Sequence, residues 1–349
     1  MSTVDVVVPC YNYGRYLRAC VDSILTQRDV DVRILIIDDM SNDSSEEVGQ
    51  ALAREDARVT YRRHTVNQGH IKTFNEGIID WATADYTLLL SADDMLTPGA
   101  LARAAQALNR HPEAGLVCGM AVSQAGDVEP VAVADASDPE CRLVPGRTFI
   151  KRFCDFGNQF ASPVVIVRTS VQHRLGGYNP KMRHTSDMEM WMRFACHGPV
   201  VILNAKQAYY RWHNQNMSSH YYAQAISDRR EQMETCRVIL QEQGDRIPEL
   251  QGWVAAMQRR IGRELLITAS NSFTLHHDDD WKEILAAAAE FDPHLLLRRD
   301  WWKLALKRVI GRPALHTFRR QLHRSNGRSI RDCRLDWTNH GEVTGWWPA

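Results

Sequence analysis

VRILIIDDMSNDSSEEVGQAL, residues 32–52, decides the architecture. Its first six residues are almost wholly aliphatic, which suits a strand buried on both faces. The run stops at two acids, Asp38-Asp39. Ser44-x-x-Glu47 then reads as a capping box opening a helix, with Val48 and Leu52 on the inner face. One strand, an acidic turn and one helix are thus written in 21 residues.

The same unit repeats outward from this stretch. Val4–Val8 is a preceding strand, followed by a helix marked by Leu17, Cys20, Val21, Ile24 and Leu25. Arg58–Arg63 and Tyr86–Leu90 read as further strands, with a helix between them carrying Ile71, Phe74, Ile78 and Ile79 inward. Thr97-Pro98 marks a helix start with Pro at the first helical position, and Gly115–Val122 a fifth strand. This alternation predicts an α/β fold, a mostly parallel sheet flanked by helices. Ligands in such sheets bind beyond the carboxyl ends of the strands, so Asp38-Asp39 and Asp93-Asp94 belong on one edge. Residues 124–160 are irregular and read as a variable surface excursion. Val164–Val167, a helix at Asp187–His197 and a strand at Gln207–His213 complete a first unit, residues 1–217. Residues 218–349 form a second, helical one, with segments near 219–243, 247–270, 281–290, 299–310 and 313–324.

The chain has 349 residues, room for two domains of the usual ~100–200 residues. Its net charge is zero, which argues against a dedicated nucleic-acid binder. Residues 1–217 hold 22 Lys/Arg against 25 Asp/Glu, and the remainder 20 against 17. An acidic first unit suits metal chemistry, and a basic second one suits an anionic surface. The eight cysteines lie at least ten residues apart, so no Cys-x-x-Cys site is written and reduced thiols are expected. The N-terminus lacks the basic start and apolar run of a signal peptide, and no stretch approaches a membrane span of ~18–20 apolar residues. A cytoplasmic protein is expected, one that meets a membrane only from outside the bilayer.

Two adjacent carboxylates at a strand end repel unless a cation intervenes. Asp93-Asp94 in LLLSADDML suits a hard cation, Mg²⁺ or Mn²⁺, that shares its coordination with substrate phosphates. A solvated turn leading into the Pro98 helix is the plain alternative. The surrounding motifs bear on that choice. Pro9-Cys10-Tyr11-Asn12 follows the first strand, IIDDMSNDS the second and SADDML the fourth. TSDMEMWMRFACHG (185–198) and YYRWHNQNMS (209–218) come later. In order and spacing these resemble the family 2 glycosyltransferases of the GT-A fold over about residues 3–218.

The resemblance implies a Rossmann-like GT-A domain with a C-terminal helical extension, and an inverting transfer from a nucleotide-diphospho-sugar donor. By that resemblance Pro9, Tyr11, Asn12, Asp39, Asn67, Gly69 and Asp93 bind the nucleotide, and Asp93 and Asp94 hold the metal. Asp187 is the base that deprotonates the acceptor hydroxyl, and Arg211 and His213 lie near the diphosphate. UDP is the expected nucleotide, and a bacterial surface glycan or lipid-linked saccharide the expected acceptor. Two positions depart from the family pattern: Ser91 and Ser186 stand where acids are common. They keep open an alternative, a catalytically silent nucleotide-sugar-binding or scaffolding protein. Asn75 and Gly77 read as structural, as do Trp191 and Arg193. A phosphotransfer receiver would need acids after the first strand, where Pro9-Cys10 stands, and a nucleotidyltransferase would need a Gly-rich phosphate loop there.

Two C-terminal features complete the reading. His276–Asp280 (HHDDD) reads as a helix start, where acids favour the macrodipole. Residues 298–331 hold eleven Lys/Arg and one acid. Either this segment lies against an anionic membrane surface, a peripheral contact, or it packs on the catalytic unit with a solvated basic face.

Overall fold

The computed structural model describes residues 1–128, 130–133, 139–213, 216, 225–275, 280–311 and 341–345. Its sheet is built from β1 (Ser2–Cys10), β2 (Val30–Asp38), β3 (Val59–Arg63), β4 (Tyr86–Leu89), β5 (Met95–Leu96), β6 (Leu116–Ala125), β7 (Cys141–Val144), β8 (Val165–Arg168), β9 (Val200–Trp212) and β10 (Val343–Thr344). The strand order is β3-β2-β1-β4-β8-β6-β9-β5, with β7 on β9 and β10 on β6. The four strands of the N-terminal half pair in parallel, as strand–helix alternation requires. β8 inserts antiparallel between β4 and β6, and β5 and β7 pair antiparallel with β9. The complete sheet is therefore mixed, and helices flank it.

The helices of the first unit are α1 (Gly14–Leu25), α2 (Ser45–Glu55), α3 (His70–Asn75), α4 (Ala100–Arg110), α5 (Gly146–Phe156), α6 (Thr169–Leu175) and α7 (Ser186–Ala195). α3 runs directly into a π-helical segment, Glu76–Trp81. Three local expectations change. The start of α2 is not a Ser44 capping box: Ser44 makes no side-chain cap bond. Asp43 does that work, accepting from Ser45 N at 3.0 Å and Gly14 N at 2.9 Å, and so ties α1 to α2. α4 begins at Ala100, not at Pro98, because Gly99 takes φ 72° and turns the chain into the helix. Residues 141–156 are no surface excursion: β7 pairs with β9, and α5 buries Phe149, Ile150, Phe153 and Cys154.

Among the described residues four α-helices follow the first unit, close to their expected positions: α8 (Ala225–Gln243), α9 (Leu250–Leu275), α10 (Asp280–Phe291) and α11 (Arg299–Ile310). The expected helix at 313–324 lies outside the described residues, as do His276–Asp279 and position 217. Met233, Cys236 and Ile239 of α8 and Leu250, Val254, Met257 and Ile261 of α9 join the same buried cluster as the sheet. Each such side chain removed from water stabilises by about 1.5–3 kcal/mol. The extension is thus docked on the sheet unit by core packing, with α8 against α7 and α9 against α5. No helix among the described residues is long and apolar enough to cross a membrane.

Candidate active site

Parallel register brings the first candidate residues together. Cys10 lies opposite Asp38 across β1 and β2, and Val7 opposite Leu89 across β1 and β4. Beyond these pairs the backbone stays cross-linked: Asp39 N donates to Cys10 O at 2.9 Å, and Leu90 N to Val7 O at 2.9 Å. Asn12 adopts φ 59°, a left-handed conformation that Asn tolerates better than most residues. Its N–H donates to Ser41 Oγ at 2.9 Å, and its Oδ1 accepts from Asn42 N at 2.8 Å. Asn12 thereby locks the loop after β1 onto the loop after β2. Above this edge opens a cleft of about 950 Å³ whose walls include Pro9, Tyr11, Asn12, Asp39, Asn67, Gly69, Asp93, Asp94 and Asp187.

Asp39 organises one end of the cleft. Its Oδ1 accepts from Gln68 N at 2.7 Å and lies 2.7 Å from His64 Nδ1, and its Oδ2 accepts from Gly69 N at 2.8 Å. Asn67 Nδ2 donates to Asp39 O at 3.2 Å. Gly69 takes φ 81°, which a side chain would disfavour. His64 Nε2 lies 2.9 Å from Glu76 Oε2. Burial works against a charge on His64, but the hydrogen bonds to Asp39 and Glu76 outweigh it and raise the imidazole above its ordinary value.

Asp93 and Asp94 sit at the floor, 5% and 3% exposed. Asp94 Oδ1 accepts from Arg211 N at 2.8 Å, and Asp93 Oδ2 lies 3.2 Å from His213 Nε2. Burial and the neighbouring Asp93 charge together push the Asp94 carboxyl well above its ordinary range, against the opposing pull of Arg211. Arg211 itself donates through Nε to Asp93 O at 2.7 Å and also to Gly126 O, with its guanidinium 4.6 Å from the Tyr16 ring centroid. Arg211 and His213 therefore stand behind the acidic pair and do not line the cleft. Two buried carboxylates whose charges oppose each other fit a hard divalent cation, which takes one or two protein carboxylates and fills its remaining positions with phosphate and water. Among the described residues no group of three His, Cys, Asp or Glu is arranged to hold a metal alone.

Asp187 also lines the cleft, at the second position of α7. Its Oδ1 accepts from Met188 N at 2.6 Å, while Oδ2 lies 3.2 Å from Asn158 Nδ2 and 3.3 Å from Ser162 Oγ. Burial raises its carboxyl above the ordinary value, against those hydrogen bonds and the nearby His184. A carboxylate held this way is a proton acceptor of increased basicity. The cleft is further lined by residues that no sequence motif marked: Phe156, Asn158, Ser162, His184, Asp228 and Gln232. Phe156 ends α5, Asn158 and Ser162 follow it, His184 lies in the loop before α7, and Asp228 and Gln232 come from α8, beyond the expected domain boundary.

The neighbours read as structural are so. Asn75 holds the backbone of Tyr178 from both sides, donating to its O at 2.9 Å and accepting from its N at 2.6 Å. A Cβ on Gly77 would stand 2.2 Å from Val7 Cγ1. Arg193 pairs with buried Glu189 at 2.9 Å, and Trp191 is 1% exposed.

Residues 5–167 match the family model described as glycosyl transferase family 2. Glycosyltransferase GlyG of Streptococcus pneumoniae serotype 4 is 36% identical over 93 residues, 27% of this chain and 31% of that protein. The GalNAc(5)-diNAcBac-PP-undecaprenol beta-1,3-glucosyltransferase of Campylobacter jejuni is 33% identical over 110 residues, 31% of this chain and 35% of that protein. These matches span about a third of each relative's length. A crystal structure of S. aureus TarS in complex with UDP-GlcNAc superposes with a TM-score of 0.60 at 16% identity, covering 83% of this chain and 80% of that one. This likeness is one of GT-A fold.

Proposed function

We propose that the chain, whose residues 5–167 match the family 2 glycosyl transferase model, transfers a sugar, with inversion, from a UDP-sugar to an acceptor hydroxyl. The observation that carries this reading is a single cleft lined by Asp39, the Asp93–Asp94 pair and the carboxylate of Asp187. The nucleotide takes the end built by Pro9, Tyr11, Asn12, Asp39, Asn67 and Gly69, with Asp93 at the ribose. Asp39 Oδ2 accepts from Gly69 N and, as a carboxylate oxygen, keeps capacity for a donor on the base. Asp187 takes the proton from the acceptor hydroxyl as that oxygen attacks the anomeric carbon. Its hydrogen bonds to Asn158 and Ser162 aim the carboxylate into the cleft. Mg²⁺ or Mn²⁺, held by Asp93 and Asp94, would supply charge neutralisation for the departing diphosphate. Arg211 and His213 act on the diphosphate through these carboxylates.

UDP is favoured because the fold relative TarS binds UDP-GlcNAc. A lipid-linked saccharide acceptor in bacterial surface glycan assembly is favoured by the undecaprenol-linked acceptor in the name of the Campylobacter relative. We place the reaction in the cytoplasm, with residues 1–217 catalytic and 218–349 a helical extension that reaches the inner face of the membrane. A screen of UDP-, GDP- and dTDP-sugars for binding and hydrolysis, with Mg²⁺, Mn²⁺ or chelator, tests the reading. Metal-dependent release of UDP is expected. Binding without turnover under every condition would favour the silent nucleotide-sugar binder that Ser91 and Ser186 suggest.

A further inference from the structure

The N-cap residue of the base-bearing helix does not cap it. Thr185, at the N-cap of α7, makes no side-chain bond to its own helix. Its hydroxyl turns away to α8, 2.7 Å from Thr235 Oγ1 and 3.3 Å from Glu231 Oε1. Glu231 Oε1 also accepts from His184 N at 2.6 Å and Thr185 N at 2.9 Å. Asp228, one turn earlier, pairs with His184 Nε2 at 3.1 Å. Asp228, Glu231 and Thr235 fall on one face of α8, at i, i+3 and i+7.

Apolar docking of α8 is already supplied by Met233 and Cys236, which are 1% and 0% exposed. The polar face does something else. It holds the backbone of residues 184–185, and two residues further along the chain stands Asp187. We propose that Glu231 is a positioning residue for transfer: by fixing this backbone from α8 it sets where the Asp187 carboxylate stands relative to the acceptor hydroxyl. The inference rests on Asp187 being the base. It also makes the helical extension a part of the active site, since Glu231 lies beyond the catalytic unit in the chain. His184, held by Asp228 on the same face, opposes the effect of burial on this carboxylate.

The test uses the full chain with the UDP-sugar that the wild type hydrolyses, read as UDP release at saturating and limiting donor. Glu231→Ala should lower kcat about 10- to 100-fold, the cost of a small misplacement of a reacting group. Donor KM and UDP affinity should stay as in the wild type. Glu231→Gln keeps an acceptor oxygen for both N–H groups and should restore most of the rate. In an Asp187→Asn background Glu231→Ala should cost nothing further, because it acts only through the base. If Glu231→Ala does not fold, Glu231→Asp, whose carboxylate falls short of the backbone, takes its place with the same expected loss. An unchanged kcat, a loss confined to KM, or a loss that adds in full to that of Asp187→Asn would overturn the inference. Full turnover by Asp187→Asn alone would instead remove the base assignment, and absence of any donor turnover by the wild type would remove the enzyme reading and this inference with it.

Discussion

Asp187 and Asp94 are both acids that the fold makes harder to ionise, and function follows from that cost. For Asp187 the first cause is burial. As the proposed base it must be ionised to act, so transfer should fall with acidification at a pH above that of an ordinary carboxylate, roughly 3.9. Asp187→Asn should bind donor normally and lose about 10²- to 10⁴-fold in rate. The stability sign runs the other way. A carboxyl whose value is raised by folding contributes stability below its unfolded value and loses it as pH rises through the folded one. The Asn variant, which cannot ionise, should therefore melt above the wild type at neutral pH, and the gap should close on acidification. Calorimetry at both pH values checks this, and a variant that melts lower at neutral pH would show that Asp187 is held for stability. Asp94 obeys the same sign, with Asp93 adding repulsion to burial. Asp94→Asn should melt higher without metal, while Mg²⁺ or Mn²⁺ should raise the wild type's melting temperature and leave the variant's unchanged. An equal metal shift in both would place the cation elsewhere. At this scale the acids were legible because a carboxylate pair at a strand end is a local signal. Their supports were not: Asn158, Ser162 and His184 reach Asp187 through folding of an irregular stretch and a loop, which no spacing records.

Among elements, β1–β4 and the helices between them could be read directly, since a buried parallel strand is a continuous aliphatic run and its crossover helix is amphipathic. β7 and α5 escaped because Cys141–Val144 is short and half-exposed, and α5 follows it in a stretch rich in Gly, Pro and Asp. The start of α2 was misread for a different reason. Ser44-x-x-Glu47 has the right spacing, yet Asp43 can bond Ser45 and Gly14 together, and that cross-link between two helices has no sequence period. The π-helical segment after α3 is likewise a packing solution. Gly77 sits over β1, where a methyl group would meet Val7 at 2.2 Å. Gly77→Ala gains up to about 1 kcal/mol of helical propensity. Overpacking against a buried strand costs about 1–3 kcal/mol, so a net loss is expected in urea unfolding at unchanged m-value. A gain in stability would mean that the π segment already tolerates the methyl group and that the glycine has another purpose.

For the molecule as a whole, the open question of the sequence was whether the basic segment 298–331 packs on the catalytic unit or meets a membrane; of it residues 298–311 are described, and one face of α11 packs on α9 of the extension. Leu304 is 1% exposed, Trp301 packs against the core, and Lys307 Nζ donates to Ser270 Oγ at 2.8 Å on α9. The opposite face is unlike an ordinary solvated one. Trp302, Leu306 and Val309 are 63%, 60% and 85% exposed, with Arg299 and Lys303 beside them at helical spacing. Leu296 and Leu297, 60% and 80% exposed, extend the apolar surface just before the helix. An indole at headgroup depth, flanked by cations worth about 1 kcal/mol each near an anionic leaflet, makes a weak and salt-sensitive anchor. The full chain should therefore co-sediment with phosphatidylglycerol-containing vesicles at low salt and not with phosphatidylcholine alone. Binding should fade as added salt shortens the screening length to a few ångströms, about 3 Å at 1 M. Trp302→Ala with Lys303→Glu should abolish it without lowering the melting temperature, because neither side chain belongs to the packed face. Truncation after residue 297 should instead destabilise the protein, since it uncovers the surface under Leu304 and Trp301. Equal partition of wild type and double variant onto anionic vesicles would refute the anchor and leave α11 a packing helix alone.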